Sequence, residues 1–175
     1  MNICAVKYLD IANGPGCRTC VFVSGCRNRC PGCFQPETWD FSAGEPCTEE
    51  YMNRILDSLE PDYVAGITIL GGDPMEEENQ PGVFEILDRV KNKYPKKNVW
   101  IYTGYILDRD LKSGGRKYTE YTDRILKLTD VLVDGPFVLD LKDITLKFRG
   151  SSNQRLIDMK KTLETGEIVL TFTDM

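Results

Sequence analysis

Val64-Ala-Gly-Ile-Thr-Ile-Leu70-Gly71-Gly72-Asp73-Pro74 is the stretch on which the fold turns. Residues 64–70 form a nearly continuous apolar run, the pattern of a strand buried on both faces of a parallel sheet. The run stops at Gly71-Gly72-Asp73-Pro74, whose residue types make turns. Two successive glycines admit unusual backbone angles and let a ligand approach the main chain closely. Main-chain N–H and C=O groups exposed there could hold the amino and carboxylate groups of a zwitterion.

Working outward, Thr48 reads as the N-cap of a helix that carries Ile55, Leu56 and Leu59 and ends before Pro61. Downstream, Val83, Phe84, Ile86, Leu87 and Val90 give a helix over Gly82–Lys93. Asn98–Thr103 reads as a strand stopped by Gly104, Tyr118–Leu128 as a helix, and Asp130–Asp134 as a strand stopped by Gly135-Pro136. Upstream, residues 3–12 hold a strand or edge segment, Asn13-Gly-Pro-Gly16 a turn, and Cys17–Val23 a β-branched, aromatic strand. The tail offers two extended pieces, Ile144–Phe148 and Glu167–Phe172, around the polar segment Arg149–Arg155. Strands alternating with helices predict right-handed crossovers and a parallel sheet. A complete eight-stranded barrel takes about 250 residues, and this chain has 175. The expectation is an α/β fold: a partial (β/α) barrel with a mostly parallel curved sheet, as a single domain over residues 1–175.

Composition narrows the function classes. Lys plus Arg is 22 and Asp plus Glu is 27, a net charge of −5, which gives no nucleic-acid footprint. No apolar run approaches the ~20 residues of a membrane span. The start, Met1-Asn-Ile-Cys-Ala-Val-Lys7, lacks the basic and long apolar regions of a secretory signal. The seven cysteines all fall between Cys4 and Cys47. An odd, one-sided set predicts reduced cytoplasmic thiols, several of them on metal. The chain has no histidine, so neither an imidazole ligand nor a histidine base is available.

Cys26, Cys30 and Cys33 stand at C-x3-C-x2-C spacing in one loop, with no local fourth. A closed structural zinc site takes four protein ligands, whereas a 4Fe–4S cluster held by three thiols leaves one iron open for a substrate. The rival reading pairs Cys17-x2-Cys20 with Cys30-x2-Cys33 as a Cys4 zinc module. Residues three apart on a strand point to opposite faces, and Cys26 would be orphaned, so the cluster reading stands ahead. Cys4, Cys17, Cys20 and Cys47 read as small buried hydrophobes, and Trp39 and Trp100 as core or interface aromatics. In α/β sheets, chemistry gathers beyond the carboxyl ends of parallel strands. The cysteine loop, Gly71–Pro74, Thr103-Gly104 and Asp134-Gly-Pro136 each follow a strand, and a shared rim would bring them together.

The cysteine motif after the first strand and Gly-Gly-Asp-Pro after the second resemble the radical S-adenosylmethionine (SAM) superfamily. Ser24-Gly-Cys, Cys30-Pro-Gly-Cys-Phe34, Thr38-Trp39, Tyr102-Thr-Gly-Tyr105, Val133-Asp-Gly-Pro-Phe137 and Phe148-Arg-Gly-Ser-Ser-Asn-Gln-Arg155 are similar to the glycyl radical enzyme activases of anaerobic ribonucleoside-triphosphate reductase. The resemblance implies a fold of the radical SAM type. It implies a 4Fe-4S cluster on Cys26, Cys30 and Cys33, with S-adenosyl-L-methionine on the fourth iron. Gly71, Gly72, Asp73 and Pro74 would hold the methionyl amino group, with Thr103 and Asp134 near its carboxylate. Superfamily members carry an aromatic before the third cysteine, beside the adenine. Gly32 stands there here, and the adjacent Phe34 takes its place. The implied reaction is one-electron cleavage of SAM to methionine and a 5′-deoxyadenosyl radical, which takes hydrogen from a glycine of the reductase large subunit. It needs no protein acid or base, and no catalytic side chain is assigned. The implied electron donor is a low-potential protein such as flavodoxin. Arg27 and Arg29 are expected to point outward, since their charge would raise the cluster potential. The rival within the superfamily is activation of another glycyl radical enzyme or a small-molecule radical reaction.

Overall fold

The computed structural model describes residues 1–171. Seven strands form one sheet: β1 (Asn2–Asp10), β2 (Cys17–Val23), β3 (Glu45–Pro46), β4 (Val64–Gly71), β5 (Asn98–Tyr102), β6 (Val131–Asp134) and β7 (Arg155–Asp158), in the spatial order β3-β1-β2-β4-β5-β6-β7. Five helices join them: α1 (Glu49–Ser58), α2 (Gln80–Lys93), α3 (Leu107–Asp110), α4 (Thr122–Leu128) and α5 (Met159–Thr165).

The expected partial (β/α) barrel with a mostly parallel curved sheet is corrected here. The sheet is open and mixed. β2–β4, β4–β5 and β5–β6 pair parallel. β1–β2, β1–β3 and β6–β7 pair antiparallel. The connections give the reason. Parallel pairing needs a long crossover, usually a helix, and α1, α2 and α4 each precede a parallel strand. β1 instead turns back through Asn13–Gly16, and the chain between β6 and β7 holds no α-helix, so both neighbours return antiparallel. Ile144–Phe148 lies in that connection as turns rather than as an extended piece. Of Glu167–Phe172, Leu170 bridges Ile157 and Phe172 lies outside the described residues.

Strand alternation divides the sheet into two faces. Val21, Val23, Ile67, Ile69, Val99 and Ile101 join the buried apolar residues of the helices in one core. The other face carries Cys20, Phe22 and Leu70 as one small cluster and Trp100, Val133 and Leu156 in another. Arg18 lies on this second face, fully buried. It donates to Thr68 Oγ1 (2.8 Å), to Ile67 O (2.9 Å) and to Pro15 O (3.1 Å), and it stacks over Trp100. Thr68 Oγ1 in turn donates to Asn13 O at 2.8 Å. These bonds clamp the Asn13–Gly16 turn onto the sheet.

Local chemistry sets the helix ends. Thr48 Oγ1 caps α1 by accepting from Tyr51 N at 3.2 Å. The predicted helix over Tyr118–Leu128 forms only from Thr122, because Thr119 and Thr122 hydroxyls both donate to Gln80 Oε1 (2.6 and 2.7 Å) and hold the preceding turn irregular. α3 is held by Asp110, which accepts from Ile106 N at 2.8 Å and pairs with Arg109 (2.9 Å) and Arg116 (2.7 Å). Burial alone would raise its pKa. The two guanidinium groups and the Ile106 N–H outweigh burial and hold the carboxyl below the usual range. A depressed folded pKa contributes stability above the unfolded pKa of about 4 and loses it as pH falls. Asp110→Asn is therefore expected to cost about 1–3 kcal/mol at pH 7. Thermal melts should show the gap from the unmutated chain closing below about pH 4.

Candidate functional site

The second face of the sheet floors a cavity of about 570 Å³ at the carboxyl ends of β2, β4 and β5. Phe22, Leu70 and Tyr102 pave it. Cys26, Cys30 and Cys33 line it from the loop after β2, Gly71, Gly72 and Asp73 from the turn after β4, and Thr103 and Gly104 from the turn after β5. Phe34 also lines it, and its ring tilts against Phe137 with 5.1 Å between centroids. Gly150 packs close to this pair, and a Cβ there would meet both rings at 3.1 Å. From the polar segment after residue 148, Arg149, Gly150 and Gln154 reach the cavity wall.

Three of the expected residues lie elsewhere. Gly32 does not line the cavity. It takes a left-handed turn (φ +75°) beside Leu139. Pro74 does not line it either. Asp134 is buried at the end of β6, where it accepts from Arg155 Nε (2.8 Å) and Nη2 (2.6 Å) and from Leu107 N (2.8 Å). It joins β6, β7 and α3 and is absent from the cavity wall.

Close backbone contact fixes the cysteine loop to the turn after β4. Gly72 N donates to Val23 O (2.7 Å) and Asp73 N to Gly25 O (2.8 Å), which carries the β2–β4 ladder past the strand ends. A Cβ on Gly72 would lie 2.5 Å from Gly25 O, so only glycine allows this approach. Asp73 is buried and accepts four hydrogen bonds. Met75 N (2.9 Å) and Thr103 Oγ1 (2.7 Å) reach Oδ1, while Gly104 N (2.8 Å) and Asn28 Nδ2 (3.0 Å) reach Oδ2. One carboxylate thereby braces three loops. Burial pushes its pKa up to about 7 against the pull of the Met75, Thr103 and Gly104 donors.

A second brace lies behind the first. Glu76 is fully buried. Its Oε1 accepts from Arg27 N (2.7 Å) and Tyr105 Oη (2.6 Å), and its Oε2 from Arg27 Nη1 and Lys117 Nζ (both 2.8 Å). Arg27 is half-exposed, also pairs with Glu78, and stacks over Phe41 at 4.5 Å. Its charge is thus neutralised at the surface. Asn28 and Glu76 were not singled out from sequence, because their partners lie 45 and 49 residues away.

The donor set suits a cluster. Burial, and then the Asp73 carboxylate, push the Cys26 thiol up to about 12, and burial raises Cys30, so metal binding must displace their protons. Among the described residues no three Cys, Asp or Glu side chains converge on one metal ion. Thiolates are the ligands of iron–sulfur clusters, and Cys26, Cys30 and Cys33 all line the one cavity. Trp39 Nε1 is buried beside them with no hydrogen-bond partner among the described residues, a donor left for an acceptor in the cavity. Cys17 and Cys20 do not join the set. Cys20 packs with Phe22 and Leu70 in a small buried cluster and does not itself line the cavity. Cys17 starts β2, about 20 Å of strand away from the loop at ~3.3 Å per residue.

Comparison with known proteins bears on the same residues. Residues 12–157 match the family described as 4Fe-4S single cluster domain. The anaerobic ribonucleoside-triphosphate reductase-activating protein of Escherichia coli (strain K12) is 40% identical over 156 residues, 88% of this chain and 96% of that protein. The protein of the same name from Salmonella typhi is 41% identical over 148 residues, 83% of this chain and 91% of that protein. That of Enterobacteria phage T4 is 35% identical over 156 residues, covering 89% and 93%.

Proposed function

Because the chain belongs to the anaerobic ribonucleoside-triphosphate reductase-activating protein family and carries its 4Fe-4S single cluster domain, we propose that its cavity is where SAM and an iron–sulfur cluster meet. The protein is an activating enzyme for the anaerobic reductase, installing a glycyl radical on it. Cys26, Cys30 and Cys33 would hold the cluster, and the cavity beside them would hold SAM. When bound, the cluster supplies the single electron that cleaves SAM to methionine and a 5′-deoxyadenosyl radical, the abstractor of the glycine hydrogen. The observation that carries this reading is the convergence of three thiols, the Gly71–Asp73 turn and Thr103-Gly104 on one cavity at three parallel strand ends.

The chain's own residues bind, brace and exclude water. The N–H groups of Gly72 and Asp73 are already used by Val23 O and Gly25 O. Main-chain carbonyls of that turn are therefore the groups left to receive the SAM ammonium. Asp73 has its oxygens committed to four donors and works as a brace. Phe34, backed by Phe137 and Gly150, offers an aromatic face for the adenine. Arg149 also lines the cavity; its Nη1 donates to Gln154 O (2.8 Å), and its other guanidinium N–H groups are the donors proposed for a carboxylate or ribose. Asp134 organises the loop after β5 through Leu107 N. The donor we propose is a low-potential protein such as flavodoxin, and the setting is the cytoplasm, which keeps seven free thiols reduced.

The test is anaerobic incubation of the reconstituted, reduced protein with SAM and the reductase large subunit. A glycyl radical doublet in the electron paramagnetic resonance spectrum is expected. SAM cleavage without that doublet would redirect the assignment to another target enzyme.

A further inference from the structure

Three buried side-chain polar atoms have no hydrogen-bond partner among the described residues: Trp39 Nε1, Tyr94 Oη and Asn98 Oδ1. Of these, only Trp39 lines the cavity shared by Cys26, Cys30 and Cys33. It also lines an outer cleft, and Cys26 is again in that wall. Trp39 therefore borders two hollows that Cys26 also lines. Its backbone is tied to the cysteine loop, with Cys26 N donating to Trp39 O (3.1 Å) and Gly25 N to Thr38 O (2.7 Å). The turn before it is closed by Thr38 Oγ1 to Gln35 O (2.7 Å) and Trp39 N to Pro36 O (3.2 Å). An indole N–H donates and cannot accept, and a buried donor without an acceptor is costly. Such an atom calls for a group that the described residues do not supply. Asp73 is filled by other donors, and the nearby Asp40 accepts from Ser42.

We propose that Trp39 Nε1–H donates a hydrogen bond to a sulfur at the Cys26 corner of the 4Fe-4S cluster. This rests on the reading that Cys26, Cys30 and Cys33 hold that cluster. The physical effect has a definite sign. Reduction adds negative charge to the sulfurs, a donor stabilises that charge, and the potential rises. Arg27 contributes little to this tuning because Glu76 and Glu78 neutralise it. Trp39 is a positioning and tuning residue rather than a catalytic one. It sets how readily the donor can reduce the cluster and holds the Cys26 corner in register with the cavity.

The experiment uses the unmutated, reconstituted, reduced chain without SAM, with 15N at the indole nitrogens of Trp39 and Trp100, its two tryptophans. Electron–nuclear double resonance should show a 15N coupling and an exchangeable proton coupling to the cluster, both lost in Trp39→Phe. In Trp39→Phe loaded to the same iron and sulfide content, the reduced:oxidised ratio at a fixed potential should fall about tenfold, a downward shift of about 59 mV for one electron. Absence of the 15N coupling in the unmutated chain overturns the proposal, whether or not the variant folds. So does a coupling that appears only after SAM is added, or an unchanged ratio in the variant. Failure of the underlying site reading is distinct: the unmutated chain would then assemble no cluster at all.

Discussion

Cys30→Ala is expected to leave a folded chain that holds no cluster. Cys30 is only partly buried, and its loop is fixed by main-chain contacts, among them Cys33 N to Cys30 O at 3.0 Å, which alanine keeps. The core under α1, α2 and α4 does not include it. The circular dichroism spectrum and melting temperature of the apo-protein should therefore match the unmutated chain. The loss falls on the metal. Iron should drop from about four per chain to near none after anaerobic reconstitution, and with it the visible charge-transfer absorbance and glycyl radical formation. Cys17→Ser and Cys47→Ser should keep full iron content, since neither residue lines the cavity. A Cys30→Ala chain that still binds four irons and cleaves SAM would remove the basis of the site assignment.

Gly72→Ala is the second large effect, and it works through shape alone. Gly72 is not in the left-handed region, so no positive φ stands against alanine. The added Cβ would nevertheless lie 2.5 Å from Gly25 O and 2.8 Å from Gly25 N, both main-chain atoms that cannot rotate away. The turn after β4 and the cysteine loop must part, at a cost of about 1–3 kcal/mol. They are two of the walls of the cavity proposed to hold SAM and the cluster. SAM affinity should fall by more than tenfold while the helices keep their content, as isothermal titration and circular dichroism would report. Gly114→Ala serves as the control. Its Cβ meets nothing within 4 Å, but it stands at φ +79°, so it should lower stability and leave SAM affinity intact. Equal SAM affinity in Gly72→Ala and the unmutated chain would refute the close-approach argument.

The central strands were legible because their signals are local. The apolar run at Val64–Leu70, the β-branched run at Cys17–Val23 and the stops at Gly71, Gly104 and Gly135 place β2, β4, β5 and β6 within a residue or two. The same stops placed the cysteine loop, Gly71–Asp73 and Thr103 around one cavity. The edges were illegible because antiparallel pairing depends on a distant partner. β7 has only Leu156 and Ile157 between polar residues, and its register is set by β6, joined through a helix-free connection. Asp134 looked like a ligand-facing carboxylate because it follows a strand. Its side chain is claimed by Arg155, 21 residues later, and nothing local announces that pair. Trp39 read as a core or interface aromatic because composition does not reveal an unmet N–H.

The two-sided sheet separates two kinds of inheritance. In β2, Val21 and Val23 belong to the helix-packed core, while Phe22 between them belongs to the cavity floor. In β4, Ile67 and Ile69 are core, and Leu70 is floor. A lineage can therefore retile the floor, one alternate residue at a time, without disturbing the layer that keeps the chain folded. Changes at Phe22, Leu70 and Tyr102 would be felt in the cavity, while Val21, Ile69 and Ile101 stay under a separate constraint. The period of two along each strand would then be visible as two rates of change, interleaved in the same eight-residue stretch of β4.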